Sequence, residues 1–240
     1  LKAFNAMQMQ FLDRPDYIVK SMPFTPIKAE WGDYESGGTT YRYPYTLMDS
    51  NSVTGQWEWS DYIKFYQLWS DVNGTRVDAR ADDLDIQVKA YVDGNIGYLI
   101  LNNLETNSRT IRIHGFGAEG NPVSSVRLKH LYLDPALGSD GRPALEDVTL
   151  LTPPGAVTLA GEGTMVLAYA FANPVATDQT ADETKFYGDS LSGTSPFRKT
   201  VNSSPITAHV NGVTVPAGPF EATLRISGLF WYDFVANTDP

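Results

Sequence analysis

The stretch IQVKAYVDGNIGYLILNNL, residues 86–104, decides the fold of the middle of the chain. Apolar residues alternate with Gln87 and Lys89, which is the period of a strand with one buried face. Asp93-Gly94-Asn95 is a strong hairpin signal, and the apolar run Gly97–Leu104 follows it. The sequence therefore predicts two antiparallel strands joined by a tight turn.

Further short apolar segments follow this hairpin at intervals that contain Gly, Asn and Pro. They are Arg109–His114, Val126–Leu133, Val148–Leu151, Val157–Leu159 and Met165–Phe171. Gly161-Glu162-Gly163 predicts the turn between the last two. Many short strands separated by such turns favour an antiparallel β-sandwich, which we place over residues 77–175.

The first 76 residues mix helix and strand patterns. A helix is predicted over Ala3–Leu12, and Ser60 is predicted to cap a second helix over Asp61–Val72. Between them, the mostly apolar Tyr17–Phe24 is typical of a buried parallel strand. This order is that of an α/β barrel or a doubly wound sheet. Since one such unit cannot bury a parallel strand on both faces, we expect sister strands upstream of Leu1.

The last part of the chain, residues 176–240, is predicted to be a partial second β-sandwich. It begins with a polar, linker-like stretch over 176–183, and strand patterns follow. Val210-Asn211-Gly212-Val213 is a candidate for a type I′ hairpin turn. About 60 residues is a marginal size for an independent β domain, so we expect this module to be incomplete.

Composition excludes several classes of function. The chain has 240 residues, 18 Lys plus Arg and 28 Asp plus Glu, so its net charge is −10. An acidic chain without a basic run is a poor binder of nucleic acids or anionic membranes. No apolar stretch approaches the roughly 18 residues of a membrane helix. There is no Cys, which excludes disulfides, and no signal peptide is visible, so we expect a fragment of a longer protein.

No motif predicts a metal, a cofactor or a nucleophile. The three histidines, His114, His130 and His209, are scattered through predicted strands without a partner at ligand spacing. The acidic run at 82–85 lacks the glycine and terminal Glu of a calcium loop. Residues 188–191 read Gly-Asp-Ser-Leu, but the later Asp-x-x-His of esterases with that block is missing.

The informative group is Lys28-Ala29-Glu30-Trp31, just past the apolar segment Tyr17–Phe24. In barrels the C-terminal ends of strands carry the chemistry. An ammonium and a carboxylate can hydrogen-bond sugar hydroxyls, while an indole stacks on the apolar face of the ring. The alternative is that the aromatic side chains of this loop merely pack it onto the barrel. Glu30 alone does not make a glycosidase, because the known mechanisms need two placed carboxyl groups.

Several blocks in this order resemble glycoside hydrolase family 86, the β-agarases and β-porphyranases. The blocks are FLDRPD (11–16), KSMPF (20–24), KAEW (28–31), YPY (43–45) and KFYQLWSDVNGTR (64–76). They are similar to the end of the catalytic barrel of that family. Two later blocks, GEGT (161–164) and EATLRI (221–226), resemble the two β-sandwich modules that follow the barrel.

The resemblance implies a (β/α)₈ barrel ending near residue 76, a β-sandwich over 77–175 and a partial second one over 176–240. It also implies retaining endo-hydrolysis of β-1,4 linkages in red-algal galactans, agarose or porphyran. The two catalytic glutamates would precede Leu1 if Tyr17–Phe24 is the eighth strand. No catalytic residue is then expected in this chain. Lys28, Glu30 and Trp31 are the expected substrate contacts.

By the same resemblance, the expected partners are a galactan polysaccharide or oligosaccharide and the missing upstream barrel segment. No cofactor is implied. The intact protein is expected outside the cell or in the periplasm. The alternative function is a non-catalytic sandwich that binds carbohydrate or serves a structural role. Trp231 and Tyr232 are the obvious aromatic candidates in the last module, whereas residues 77–175 contain no Trp.

Overall fold

A computed structural model describes residues 1–13, 18, 20–27, 30–41, 43, 45–51, 53–115, 120–137, 141–177, 186 and 209–214. The chain divides into two compact units, Leu1–Gln179 and Thr180–Pro240. The helices and strands named below all lie in the first unit. Within the described residues, neither helix has the length and apolar character needed to span a bilayer.

The elements follow one another in a fixed order, with strands far outnumbering helices. They are α1 (Lys2–Phe11), a 3₁₀ helix (Glu30–Gly32), β1 (Tyr34–Ser36), β2 (Thr39–Tyr41), β3 (Met48–Ser50), β4 (Trp57–Trp59), α2 (Ile63–Trp69), β5 (Thr75–Val77), β6 (Ile86–Asp93), β7 (Ile96–Asn103), β8 (Arg109–Arg112), β9 (Val123–Asp134), β10 (Arg142–Leu150), β11 (Ala156–Leu159) and β12 (Thr164–Phe171).

The centre of the first unit is a six-stranded antiparallel sheet in the order β10-β9-β12-β7-β6-β5. The predicted hairpin is confirmed, because Asp93 pairs with Ile96 across a two-residue turn. Gly94, the first residue of that turn, has a φ of 58°. A positive φ at this position is the pattern of a type II′ turn, which matches the right-handed twist of the flanking strands.

The sheet is covered on both faces, by different kinds of structure. On one face, the two-stranded sheet β8–β11 encloses an apolar core with Leu101, Leu159 and Leu167 among its buried members. On the other face, α1 and α2 contribute Met9 and Leu68 to a second core against the rings of β6 and β7. The predicted antiparallel β-sandwich is therefore confirmed, and its outer helical layer is an addition that the sequence patterns did not reveal.

The prediction of a strand over Tyr17–Phe24 is wrong for the described residues. Ile18 and residues 20–24 form no strand. The nearest β-pairing is a single parallel bridge between Thr25 and Thr46. Pro23 has no backbone N–H to donate, so it interrupts any ladder at this point. Met22 is exposed rather than buried on a sheet. The barrel remnant predicted for residues 1–76 is therefore not confirmed by the described residues and stays a prediction.

Helix α2 is shorter than the predicted span Asp61–Val72. At its start, the amides of Ile63 and Lys64 donate to carbonyls three residues earlier, so the first turn is 3₁₀-like. The prediction that Ser60 caps this helix is wrong, because Tyr62 is the N-cap residue and makes no side-chain cap hydrogen bond. Ser60 Oγ instead accepts a 3.2 Å hydrogen bond from the Tyr62 amide just before the helix. Near its end, Lys129 Nζ donates to the Gln67 carbonyl at 2.7 Å, and this hydrogen bond fastens the helix to β9.

In the second unit the described residues are 186 and 209–214, and they address one prediction. Gly212 has a φ of 73°, whereas Glu162 is the non-glycine residue with a positive φ in the described part of the chain. A type I′ turn needs a positive φ at both central residues. The prediction of that turn type at Asn211-Gly212 is therefore wrong. The predicted domain boundaries near 76 and 175 stay predictions.

Candidate functional site

The candidate site lies in the segment between α1 and α2, at the exposed indole of Trp31. This side chain is 79% exposed and follows Glu30 in the 3₁₀ helix. Its ring lies 5.2 Å from the ring of Tyr43, tilted by 37°. Gly32 makes this contact possible, because a Cβ atom there would lie 2.6 Å from Tyr43 Cδ2. Tyr43 is itself held by a 2.9 Å hydrogen bond from its amide to Asp33 Oδ1.

A chain of ring contacts connects Trp31 to the interior. Tyr43 contacts Tyr45 at 5.5 Å, Tyr45 contacts Tyr62 at 5.9 Å, and Tyr62 contacts the buried Phe24 at 4.5 Å between ring centroids. We call these five residues the aromatic ladder. Such edge and tilted ring pairs are favourable beyond the area that they bury. The exposed indole is therefore anchored on a packed series of rings rather than on a free loop.

Backbone hydrogen bonds hold the same segment together. The Thr25 amide donates to the Tyr45 carbonyl at 3.0 Å, and the Leu47 amide donates to the Thr25 carbonyl at 2.9 Å. The Ser60 amide donates to the Leu47 carbonyl at 2.8 Å. These bonds connect the start of the segment, its middle and the entry to α2. Three backbone hydrogen bonds therefore support the part of the chain that carries Tyr45 of the ladder.

The base of the ladder has defined electrostatics. Desolvation, aided by the neighbouring Tyr45 and Asp61, raises the pKa of Tyr62, so its phenol stays neutral. Desolvation also acts to raise the pKa of Asp61, but hydrogen bonds from Lys64 and Arg142 outweigh it and lower that pKa. Arg142 Nη2 lies 2.8 Å from Asp61 Oδ2. The neutral phenol of Tyr62, which can donate a hydrogen bond, is therefore next in sequence to the Asp61–Arg142 ion pair.

Of the three predicted substrate contacts, the structure describes one side chain. Lys28 lies outside the described residues. Glu30 begins the 3₁₀ helix, but its side chain lies outside the described part. Trp31 is exposed as a stacking surface must be. Whether the three side chains meet stays a prediction.

Sequence reasoning missed two small hairpins in this segment. In the first, Tyr34 of β1 pairs with Tyr41 of β2, and their rings stack at 5.0 Å and 11°. The second joins β3 to β4 and displays Trp57 and Trp59. The Gly37-Gly38 pair between aromatic residues was the available signal for the first hairpin. Strands of three residues are too short for an alternation pattern to be recognised.

The described residues contain no group of three or more His, Asp or Glu side chains placed to hold a metal ion. What they do provide is exposed aromatic surface beside hydrogen-bonding groups. Aromatic faces bind apolar CH surfaces, and fixed polar groups orient a ligand that carries hydroxyls. This combination is suited to carbohydrate.

Comparison with known proteins agrees with that chemistry. A family model described as porphyranase β-sandwich domain 1 matches residues 85–192, the part of the chain that contains the six-stranded sheet from β6 onwards. The chain is 42% identical over 236 residues to β-agarase AgaO of Microbulbifer thermotolerans, covering 95% of this chain and 20% of the relative. It is 40% identical over 230 residues to a funoran endo-β-hydrolase of Wenyingzhuangia aestuarii, covering 94% of this chain and 30% of the relative.

A solved structure leads to the same family. The crystal structure of BuGH86 in complex with neoagarooctaose matches with a TM-score of 0.62 and 35% identity, over 72% of this chain and 28% of that one. The chain belongs to glycoside hydrolase family 86, which confirms the resemblance found in its sequence. It spans between a fifth and a third of the length of these relatives.

Proposed function

We propose that this chain is part of a retaining, endo-acting glycoside hydrolase that cleaves β-1,4 linkages of red-algal galactans. The proposal is supported by relatives named as a β-agarase and a funoran endo-β-hydrolase, and by the neoagarooctaose bound in a related structure. In the intact protein, one carboxyl group protonates the leaving oxygen while a second attacks the anomeric carbon. In a retaining enzyme the two lie about 5–5.5 Å apart.

In this proposal the described residues bind the substrate, and the catalytic pair lies outside the 240 residues. The observation that carries the binding role is the 79% exposed indole of Trp31 at the end of the aromatic ladder. An aromatic side chain that is already held in place by packed neighbours loses little conformational freedom when a ligand stacks on it. A galactan ring stacked on the indole would remove both surfaces from water. Lys28 and Glu30 then supply hydrogen bonds to its hydroxyl groups.

The test is calorimetric titration of the 240-residue chain with neoagarooctaose. We expect binding without release of reducing ends. Trp31→Ala should weaken the binding by about tenfold, because a truncated anchor Trp commonly costs more than 1 kcal/mol. Trp31→Phe, which keeps an aromatic face, should lose less. Hydrolysis of the oligosaccharide by this chain alone would refute the proposal that the catalytic pair lies outside the 240 residues. An unchanged affinity of Trp31→Ala would refute the binding role of Trp31.

For the sandwich itself, we propose a structural role rather than a second binding site. The supporting observation is that the six-stranded sheet is covered by β8–β11 on one face and by α1 and α2 on the other. No broad face of this sheet is left open for a polysaccharide chain in the described part of the protein. We also propose that the intact protein works outside the cell or in the periplasm, where an insoluble galactan is met.

A further inference from the structure

Charged side chains join the start of helix α2 to β10, the strand at one edge of the central sheet. Asp61, just before α2, uses both of its carboxylate oxygens. Its Oδ2 atom accepts hydrogen bonds from Arg142 Nε at 3.0 Å and Nη2 at 2.8 Å, and its Oδ1 atom accepts one from Lys64 Nζ at 2.7 Å. Lys64 Nζ also donates to the Pro143 carbonyl at 2.6 Å. We call these four residues the α2 joint.

The α2 joint is continuous with the base of the aromatic ladder. Tyr62 directly follows Asp61 and is the N-cap residue of α2. The ring of Tyr62 lies 4.5 Å from the ring of Phe24 and 5.9 Å from the ring of Tyr45. A shift of the start of α2 relative to β10 would therefore displace the ring on which Tyr45 rests, and the outer rings of the ladder rest on Tyr45 in turn.

The segment that carries Tyr45 is fastened to the same place. The Ser60 amide donates to the Leu47 carbonyl at 2.8 Å, and Ser60 Oγ donates to the Thr46 carbonyl at 2.5 Å. Thr46 and Leu47 directly follow Tyr45 in the sequence. The short stretch from Ser60 to Tyr62 therefore holds the ladder through backbone and ring contacts, and it holds the sheet through the charge of Asp61.

A second arginine links the other end of α2 to the sheet. Arg127 of β9 donates from Nη1 to Asp71 Oδ2 at 2.9 Å and from Nη2 to Asp147 Oδ2 at 2.7 Å. Asp71 lies just past the end of α2, and Asp147 is on β10. The side chain of Arg127 is 47% exposed and that of Arg142 is 65% exposed, so the two ion pairs are similar in kind. They differ in the end of α2 that they hold, and the ladder meets α2 at its start.

We propose that Arg142 is a positioning residue for sugar binding, and that it acts through Asp61 and the aromatic ladder on the indole of Trp31. The β-sandwich thereby sets the orientation of the stacking surface. When the α2 joint is cut, the ladder takes several arrangements, and the apparent affinity falls with the fraction of molecules that present the indole correctly. This inference rests on the proposed function and gives the sandwich a specific part in it.

The experiment is titration calorimetry of the 240-residue chain and its variants with neoagarooctaose. Arg142→Ala should weaken the binding by about threefold, the size that the loss of an exposed ion pair allows. Arg127→Ala is the matched control, because it makes the same change of charge at the other end of α2, and it should bind as the wild type does. A thermal melt of each variant shows that it is folded. Equal losses in both variants, or no loss in Arg142→Ala, would overturn the proposal.

Action through Trp31 is tested with the double variant Trp31→Ala, Arg142→Ala. It should bind as Trp31→Ala does, because no indole is left to position, whereas a further threefold loss would mean that Arg142 contacts the sugar directly and would overturn the positioning role. The near-ultraviolet circular dichroism of the packed rings should fall in Arg142→Ala but not in Arg127→Ala, and equal spectra would also count against it. If Trp31→Ala binds as the wild type does, the proposed binding role fails and this inference fails with it. If Trp31→Ala loses affinity while Arg142→Ala does not, only this inference fails.

Discussion

His130 makes the stability of this protein dependent on pH in the mildly acidic range. The side chain is 6% exposed in the middle of β9, and its Nε2 atom accepts a 3.4 Å hydrogen bond from the Ala160 amide. Its ring lies 4.8 Å from the ring of Tyr132. Gly163 packs closely on it, since a Cβ atom there would lie 2.9 Å from Nε2. This environment fits the neutral imidazole, and desolvation lowers the pKa of His130 to about 4.

The sign and the size of the effect follow from the two states. In the unfolded chain the imidazole takes up a proton near pH 6.5, whereas in the folded protein it does so only near pH 4. The contribution of His130 is therefore complete above pH 6.5 and is lost as the pH falls towards 4. The full loss is about 3 kcal/mol, and about 2.5 kcal/mol of it has occurred at pH 4.5.

The measurement is urea denaturation at about pH 7.5 and pH 4.5 for the wild type and His130→Gln. The glutamine cannot be protonated, so the free energy of unfolding of that variant should fall by about 2.5 kcal/mol less than that of the wild type over this interval. His114→Gln, at an exposed histidine, is the control and should follow the wild type. Parallel losses in the wild type and His130→Gln would show that burial of His130 does not control the pH dependence.

Three further outcomes are expected. Asp71→Asn should lower the free energy of unfolding, measured by urea denaturation, by about 2 kcal/mol, because it removes the carboxylate that pairs with Lys129 of β9, a residue that is 5% exposed. An unchanged denaturation midpoint would contradict this. Gly161→Ala should lower the free energy of unfolding by more than about 2 kcal/mol, because its Cβ would lie 1.9 Å from a backbone carbonyl oxygen. Gly155→Ala is the control and should be tolerated in the same assay, because there is open space around Gly155. Gly32→Ala should weaken neoagarooctaose binding several-fold without lowering the melting temperature by more than about 3 °C, because its Cβ displaces the ring that supports Trp31; full affinity would argue against that support.

The central sheet was predictable because its strands carry local signals. The turn at Gly94 and the apolar runs on either side fix the β6–β7 hairpin without reference to the rest of the chain. The covering of its second face was not predictable. Lys89 and Gln87 indicated a solvent face, but Lys89 pairs with Asp13 at 2.8 Å, and Gln87 accepts a hydrogen bond from Asn102 at 2.7 Å. In the sequence, polar side chains that pair with residues elsewhere in the chain alternate with apolar ones in the same way as polar side chains that face water.

The failed strand prediction has a related cause. A short apolar run is consistent with a buried strand, but it forms one only if neighbouring strands supply the ladder. Phe24 is buried by other means, since it packs between rings of α1 and α2. The candidate site was predictable in part, because Trp31 stands in a recognisable block. Its anchoring on the aromatic ladder was not predictable, because the inner end of that ladder joins Phe24 to Tyr62, which are far apart in sequence.

The covering of the sheet by α1 and α2 has a consequence for dissecting proteins of this kind. A sandwich excised at residue 77 would lose Met9 and Leu68, and the apolar side of Tyr91, Tyr98 and Ile100 would be turned towards water. Such a truncated product would tend to self-associate or precipitate rather than behave as a portable module. The smallest transferable piece therefore includes the two helices, and cloning boundaries drawn from the sandwich match alone would cut through a shared interior.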